Sequence, residues 1–128
     1  TSQEFIQINQ GETMVIINVE GDGENLIIEQ EIPKSVIESL TNKNKNSLIE
    51  TNFEYEILKE DPLIAWNVEK APTKINYTIK KDLTNNQKEE FKLKVKENNN
   101  LAYLKYVIVA LIFIILTITF KPILIKKR

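Results

Sequence analysis

Apolar and polar residues alternate with a period of two along residues 12–80, and from Tyr106 to Phe120 the alternation gives way to an unbroken apolar run. The first pattern predicts half-buried strands, whose successive side chains point to opposite faces. Val15, Ile17 and Val19 share one face of a first strand, with Met14, Ile16 and Asn18 on the other. Gly21-Asp22-Gly23 supplies turn chemistry of the hairpin kind, and a second strand begins at Leu26 and Ile28 and ends at Ile32-Pro33. Residues 35–40 are read as an irregular helical turn and residues 41–46 as a polar loop. Phe53, Tyr55 and Ile57 alternate with Glu54 and Glu56, the clearest strand pattern in the chain. After Glu60-Asp61-Pro62, Ile64, Trp66 and Val68 share a face; after Ala71-Pro72-Thr73, so do Ile75, Tyr77 and Ile79, with Asn76, Thr78 and Lys80 outward. Short strands separated by turns, without long intervening helices, predict a mainly β antiparallel sandwich. Trp66, Phe53, Tyr55 and Tyr77 are expected to supply much of its core.

Thr84 and Gln87 have the spacing of a capping box and predict a short helix from Asn85 to Phe91. Leu93 and Val95 then alternate with lysines in an extended segment, and residues 97–100 read as a hydrated spacer. Residues 1–11, with only Phe5-Ile6-Gln7-Ile8 as apolar pattern, are expected to be the end of a preceding domain.

The apolar run carries no charge, and Leu101–Leu104 and Pro122–Ile125 extend it at its two ends. A hydrocarbon core of roughly 30 Å takes about 20 helical residues. Residues 101–125 meet that length if Lys105 and Lys121 reach back to the headgroups. A buried core helix is the rival reading, but a helix apolar on every face then needs a larger core than this chain can build. The expectation is a single C-terminal transmembrane α-helix with Lys105, Lys121, Lys126, Lys127 and Arg128 as membrane-interface anchors. Thr117 and Thr119 are expected to bond back to helix carbonyls. The run holds no acid and no Gly-x-x-x-Gly, which favours a plain anchor over a channel or transporter segment.

Charge sharpens this division. Residues 1–100 hold 12 Lys and 18 Asp or Glu, and residues 101–128 hold five Lys or Arg and no acid, so formal charges of −6 and +5 make up the net −1. An acidic first part argues against nucleic acid, whose phosphates call for a basic surface. The basic end, residues 126–128, is expected to face the cytoplasm, with the β part outside; a tail-anchored, cytosol-facing arrangement is the alternative. With no Cys and no His, disulfides, thiolate metal sites and the commonest general base are all missing. The chain begins at Thr1, which suits a processed form or a fragment.

Candidate chemistry is sparse. Gly21-Asp22-Gly23-Glu24 resembles half of a calcium loop but lacks the regular ligand alternation, so a turn is the better reading. Glu54, Glu56, Glu60 and Asp61 offer carboxylates, yet Glu54 and Glu56 fall on the solvated face. Trp66 is in register with core residues rather than with an exposed ligand platform. Lys92, Lys94 and Lys96 read as a polar strand face before they read as a lipid contact. Asn76-Tyr77-Thr78 is the one glycosylation sequon, with Asn76 on the outward face. No enzyme activity, cofactor, metal site or small-molecule substrate is indicated.

Three segments together carry a resemblance: Ile32-Pro33-Lys34-Ser35-Val36, Asp61-Pro62-Leu63-Ile64-Ala65-Trp66 and Asn76-Tyr77-Thr78-Ile79-Lys80-Lys81. They resemble a domain of archaeal secreted and surface proteins of the S-layer type, which often precedes a C-terminal membrane helix. The resemblance implies an immunoglobulin-like sandwich outside the cell and transfers no catalytic residue. Glu69-Lys70-Ala71-Pro72-Thr73 stands where that family has a Pro-Gly turn, which leaves the strand junction there open.

The organisation expected is an N-terminal segment (1–11), a sandwich (12–84), a short helix and juxtamembrane linker (85–100), a membrane helix (101–125) and a basic end (126–128). The function expected is that of a single-pass cell-surface structural or interaction protein, its partners the lipid bilayer and another surface or membrane protein. An accessory subunit of a membrane enzyme or transporter and a tail-anchored adaptor are the rivals.

Overall fold

The computed structural model describes residues 1–126, with side-chain surroundings given for 1–98 and 104–119. In chain order the elements are β1 (Ser2–Asn9), β2 (Glu12–Val19), β3 (Glu24–Glu31), α1 (Lys45–Leu48), β4 (Ile49–Glu50), β5 (Glu56–Lys59), β6 (Leu63–Lys70), β7 (Thr73–Ile79), α2 (Asn85–Glu90), β8 (Lys92–Glu97) and α3 (Asn99–Lys126). They divide into two compact units, Thr1–Glu97 and Asn98–Arg128.

The first unit has two antiparallel four-stranded sheets, ordered β1-β2-β7-β4 and β5-β6-β3-β8. The alternation along β2, β6 and β7 dictates the inner faces: Val15, Ile17, Val19, Ile64, Trp66, Ile75, Tyr77 and Ile79 are all buried. Burying each of these contributes about 1.5–3 kcal/mol before chain entropy is set against it. A one-residue slip of any of these strands would put its apolar set into water, so the pattern also fixes register. Met14 and Ile16 on the other face of β2 are only half-buried, as the pattern predicts.

One turn serves a different end from the one expected, and the junction left open at Ala71–Thr73 is decided. Residues 21–23 do not close a hairpin, because β2 and β3 lie in different sheets. The turn instead carries the chain across the sandwich, and Gly21 takes a φ of +93° that only glycine adopts freely. The Ala71–Thr73 junction crosses back between β6 and β7, through a cis Ala71–Pro72 bond. Ala71 N donates to Gly23 O at 2.8 Å, tying the two crossings together.

The predicted strand over residues 53–57 starts late. β5 begins at Glu56, and Phe53, expected in the core, is 38% exposed. The reason is the distance to be crossed. Glu50 still belongs to the first sheet, and the Thr51 hydroxyl donates to Asn76 O of β7 at 2.9 Å. Stacked sheets lie about 10 Å apart. A strand starting at Phe53 would leave Asn52 alone to bridge that gap, and two extended steps of about 3.6 Å fall short. The aromatic alternation of Phe53 and Tyr55 is therefore spent on a crossing.

Residues 1–11 are not set apart from the sandwich. β1 pairs with β2 from Ser2↔Asn18 to Asn9↔Glu12, and Phe5 packs edge-on against Phe91 with ring centroids 5.0 Å apart. Nor is 92–97 a linker: β8 pairs with β3 along its whole length. The irregular helical turn expected over 35–40 forms earlier, from Pro33, and residues 32–40 plug the end of the core. Val36 N and Ile37 N both donate to Pro33 O, and Ile32, Val36, Ile37 and Leu40 are buried. The Thr84 capping box forms as predicted, with Gln87 N donating to Thr84 Oγ1 and Thr84 N to Gln87 Oε1. It seats α2 so that Phe91 turns into the core. The loop expected over 41–46 is shortened by α1.

The second unit is α3, a helix of 28 residues that starts two residues earlier and ends one later than the predicted 101–125. Its apolar side chains are exposed wherever they are described, from Tyr106 at 76% to Leu116 at 49%; Val107 alone is half-buried. Thr117 Oγ1 donates to Phe113 O at 2.9 Å and Thr119 Oγ1 to Ile115 O at 2.8 Å, the back-bonding expected of them. Among the described residues no helix is long and apolar enough to cross a membrane. The described side chains of α3 end at Leu104 and Thr119, a stretch shorter than the about 20 residues a crossing needs.

Candidate functional site

The sequence candidates for chemistry do not converge. Glu54, Glu56, Glu60 and Asp61 are all exposed, and Asp61 pairs with Lys34 at 3.6 Å on the surface. Among the described residues Glu54 and Asp61 border different clefts, so these carboxylates do not form the pair that acid–base catalysis requires. Asp22 and Glu24 are exposed on the first crossing turn. Among the described residues no group of three or more His, Cys, Asp or Glu is placed to hold a metal ion.

The lysines of β8 divide by partner. Lys96 Nζ meets Glu29 Oε1 at 3.0 Å on β3, whereas Lys92 and Lys94 are exposed with no carboxylate at ion-pair distance among the described residues. The half-exposed pair contributes at most about 1 kcal/mol. Asn76 lies on the outward face of β7 opposite Ile16, and its side chain is half-buried there. Of the five interface anchors, Lys105 is exposed on α3. The side chains of Lys121 and Lys126, and all of Lys127 and Arg128, lie outside the described residues.

Two features that sequence reasoning missed lie on opposite flanks of the sandwich. On the β1–β8 flank, Gln30 is fully buried and its amide joins both sheets. Its Nε2 donates to Lys92 O at 2.9 Å and to Gln3 Oε1 at 3.2 Å; its Oε1 accepts from Tyr77 Oη at 3.2 Å; Gln3 Nε2 donates to Phe91 O at 3.1 Å. Every polar atom of this buried amide is partnered, as burial demands. Burial raises the Tyr77 phenol well above its ordinary value of 10.0, because the phenolate would be desolvated. A glutamine in strand register with Leu26 and Ile28 was the one available sequence signal.

On the β4–β5 flank the segment 51–55 separates two clefts. One, of about 600 Å³, is bordered by Lys45, Glu50, Phe53 and Tyr55, with Lys45 Nζ 5.7 Å from the centre of the Tyr55 ring. The other, of about 420 Å³, is bordered by Phe53, Glu54, Thr73, Ile75 and every residue from Trp66 to Lys70. Trp66 sits between Tyr55 and Tyr77, with ring centroids at 6.3 and 5.3 Å, and its buried indole N–H has no acceptor among the described residues. No family model matches the chain, and no curated protein or solved structure is significantly similar to it.

Proposed function

We propose that this chain is a membrane-anchored structural or interaction protein of a cell surface, with the β-sandwich as its working, non-catalytic part. The observation that carries this reading is α3. Its backbone runs helically through 28 residues, and at 1.5 Å each that is about 42 Å, more than the roughly 30 Å of a hydrocarbon core. Its described apolar side chains point out on all sides, and only lipid or a partner of similar polarity is a good solvent for such a helix. The two threonines in its C-terminal half satisfy their hydroxyls internally, which suits an apolar medium. The dispersed carboxylates support a binding rather than a catalytic role for the first unit. The charge balance of residues 101–128 favours a cytoplasmic C-terminus with the sandwich, including Asn76 as a glycan acceptor, outside.

Partition of the full chain tests the anchor. Expressed in cells, it should stay with the membrane fraction through alkaline and high-salt washes and leave only with detergent. A monomer recovered from detergent-free buffer overturns the reading. Protease added to intact cells should degrade residues 1–97, and their protection reverses the orientation.

A further inference from the structure

The two sheets end unevenly on the β4–β5 flank. β4 covers β7 only at Thr78 and Ile79, and β5 covers β6 only from Leu63 to Ala65. From Trp66 to Lys70, β6 pairs with β3 on one side, and among the described residues no strand pairs with it on the other. All five of these residues border the 420 Å³ cleft, so the cleft is lined by the main-chain edge of β6 and not merely by one face of its side chains. Trp66, one of the residues lining it, holds a buried indole N–H without an acceptor among the described residues.

The chain cannot close this edge with its own next residues. In the register of β5, Tyr55 would come opposite Trp66 and Phe53 opposite Val68, yet with Thr51 tied to β7 these residues are needed to span the gap between sheets. We propose that the β6 edge from Trp66 to Lys70 is a docking site for an extended segment of a partner polypeptide, which adds to the second sheet in line with β5. Unpaired N–H and C=O groups in strand conformation select extended main chain over any other ligand. The cleft takes one apolar side chain opposite Val68, beside Ile75 and the Trp66 ring. A folded domain's rigid edge is a poorer occupant, because Phe53 and Glu54 also line the cleft and narrow the room beside the strand. The rim carries both signs, Glu54 and Glu69 with Lys70, so main-chain pairing rather than charge sets the register. The inference takes the sandwich to be an interaction module and is independent of the anchor, since docking and membrane partition are read in separate experiments.

The test titrates the full chain in detergent with a blocked synthetic peptide copying residues 51–58, whose apolar–polar alternation matches the open edge and which is free of the tether at Thr51. Expected are a saturable change in the emission of Trp66, the one tryptophan, and at least tenfold slower amide exchange within residues 66–70. The same peptide N-methylated at alternate positions should lose at least tenfold in affinity. Equal binding of the methylated peptide, or no protection of residues 66–70 at millimolar peptide, overturns the proposal. So does slow exchange at residues 66–70 in the free protein equal to that at Ile64 and Ala65, since the edge would then already be filled by the chain itself or by a second copy.

Discussion

The two flanks of the sandwich solve the same problem in opposite ways. On the β1–β8 flank β1 pairs along β2 and β8 along Leu26–Glu31 of β3, and the Gln30 amide bonds to the Lys92 carbonyl beside it and across the interior to Gln3 and Tyr77. On the β4–β5 flank the edge strands are two and four residues long, an aromatic segment spans the opening, and an indole N–H has no partner among the described residues. A sandwich needs its core sealed, but it needs the seal only where no other chain will supply it. A buried polar network holds one pairing of the sheets and penalises every other, because a shifted register leaves its groups without partners. The short-stranded flank lacks that constraint, and there the edge strands stop short, so part of β6 is left without a neighbour beside a cleft.

Substitutions that break this contrast should fall in a definite order. The largest loss should follow Trp66→Ala, about 3–5 kcal/mol, because a cavity opens between Tyr55 and Tyr77; denaturant unfolding of residues 1–97 measures it. Next comes Gln30→Met on the closed flank. It keeps the volume but leaves the Tyr77 hydroxyl and the Lys92 carbonyl without their buried partner, at about 2–3 kcal/mol. If the network were incidental, the same unfolding curve would not move.

Tyr77 gives that prediction a pH dependence. Its folded pKa is raised, so the unfolded chain releases the phenolic proton first. The stability this group contributes is complete below about pH 10 and falls as pH climbs from there toward the folded value. Tyr77→Phe should therefore lose about 1 kcal/mol at neutral pH and show a flatter alkaline limb than the parent. A parent and variant with parallel alkaline limbs would show that the phenol is not buried.

A change of similar size, about 1 kcal/mol, is expected for Thr84→Ala, which removes the cap that seats α2 ahead of Phe91. Phe53→Ala should move stability by less than about 0.5 kcal/mol despite deleting an aromatic, because the ring is largely outside the core. A loss comparable with that of Trp66→Ala would mean that β5 extends to Phe53 and the open flank is closed.

Legibility in the sequence tracks how local the deciding physics is. Val15-Ile16-Ile17 and Ile75-Asn76-Tyr77 announce their inward faces because strand periodicity is a property of the backbone, and Thr84–Gln87 announces a cap because both bonds close within three residues. Phe53-Glu54-Tyr55-Glu56 carries the same periodicity and fails to become a strand at its start, because the place of Thr51 on β7 is set by a contact 25 residues away in sequence. Gly21-Asp22-Gly23 is readable as a turn, but a turn does not state which sheet its two strands join. Of the polar network only the inward register of Gln30 with Leu26 and Ile28 was legible: Gln3, Gln30 and Tyr77 are far apart in the chain, and a glutamine within a strand gives no local sign of what it will meet.

The amino-acid order alone thus determined where strands run, which side chains face inward, where α2 is capped, and that an apolar helix follows an acidic β-rich part. Only the tertiary structure decided how the eight strands divide between two sheets, that residues 1–9 and 92–97 belong to them, and which edges are left unpaired. The first set depends on bonds and periodicities that close within a few residues. The second depends on distances between segments remote in sequence, above all the separation of two sheets that five residues must cross.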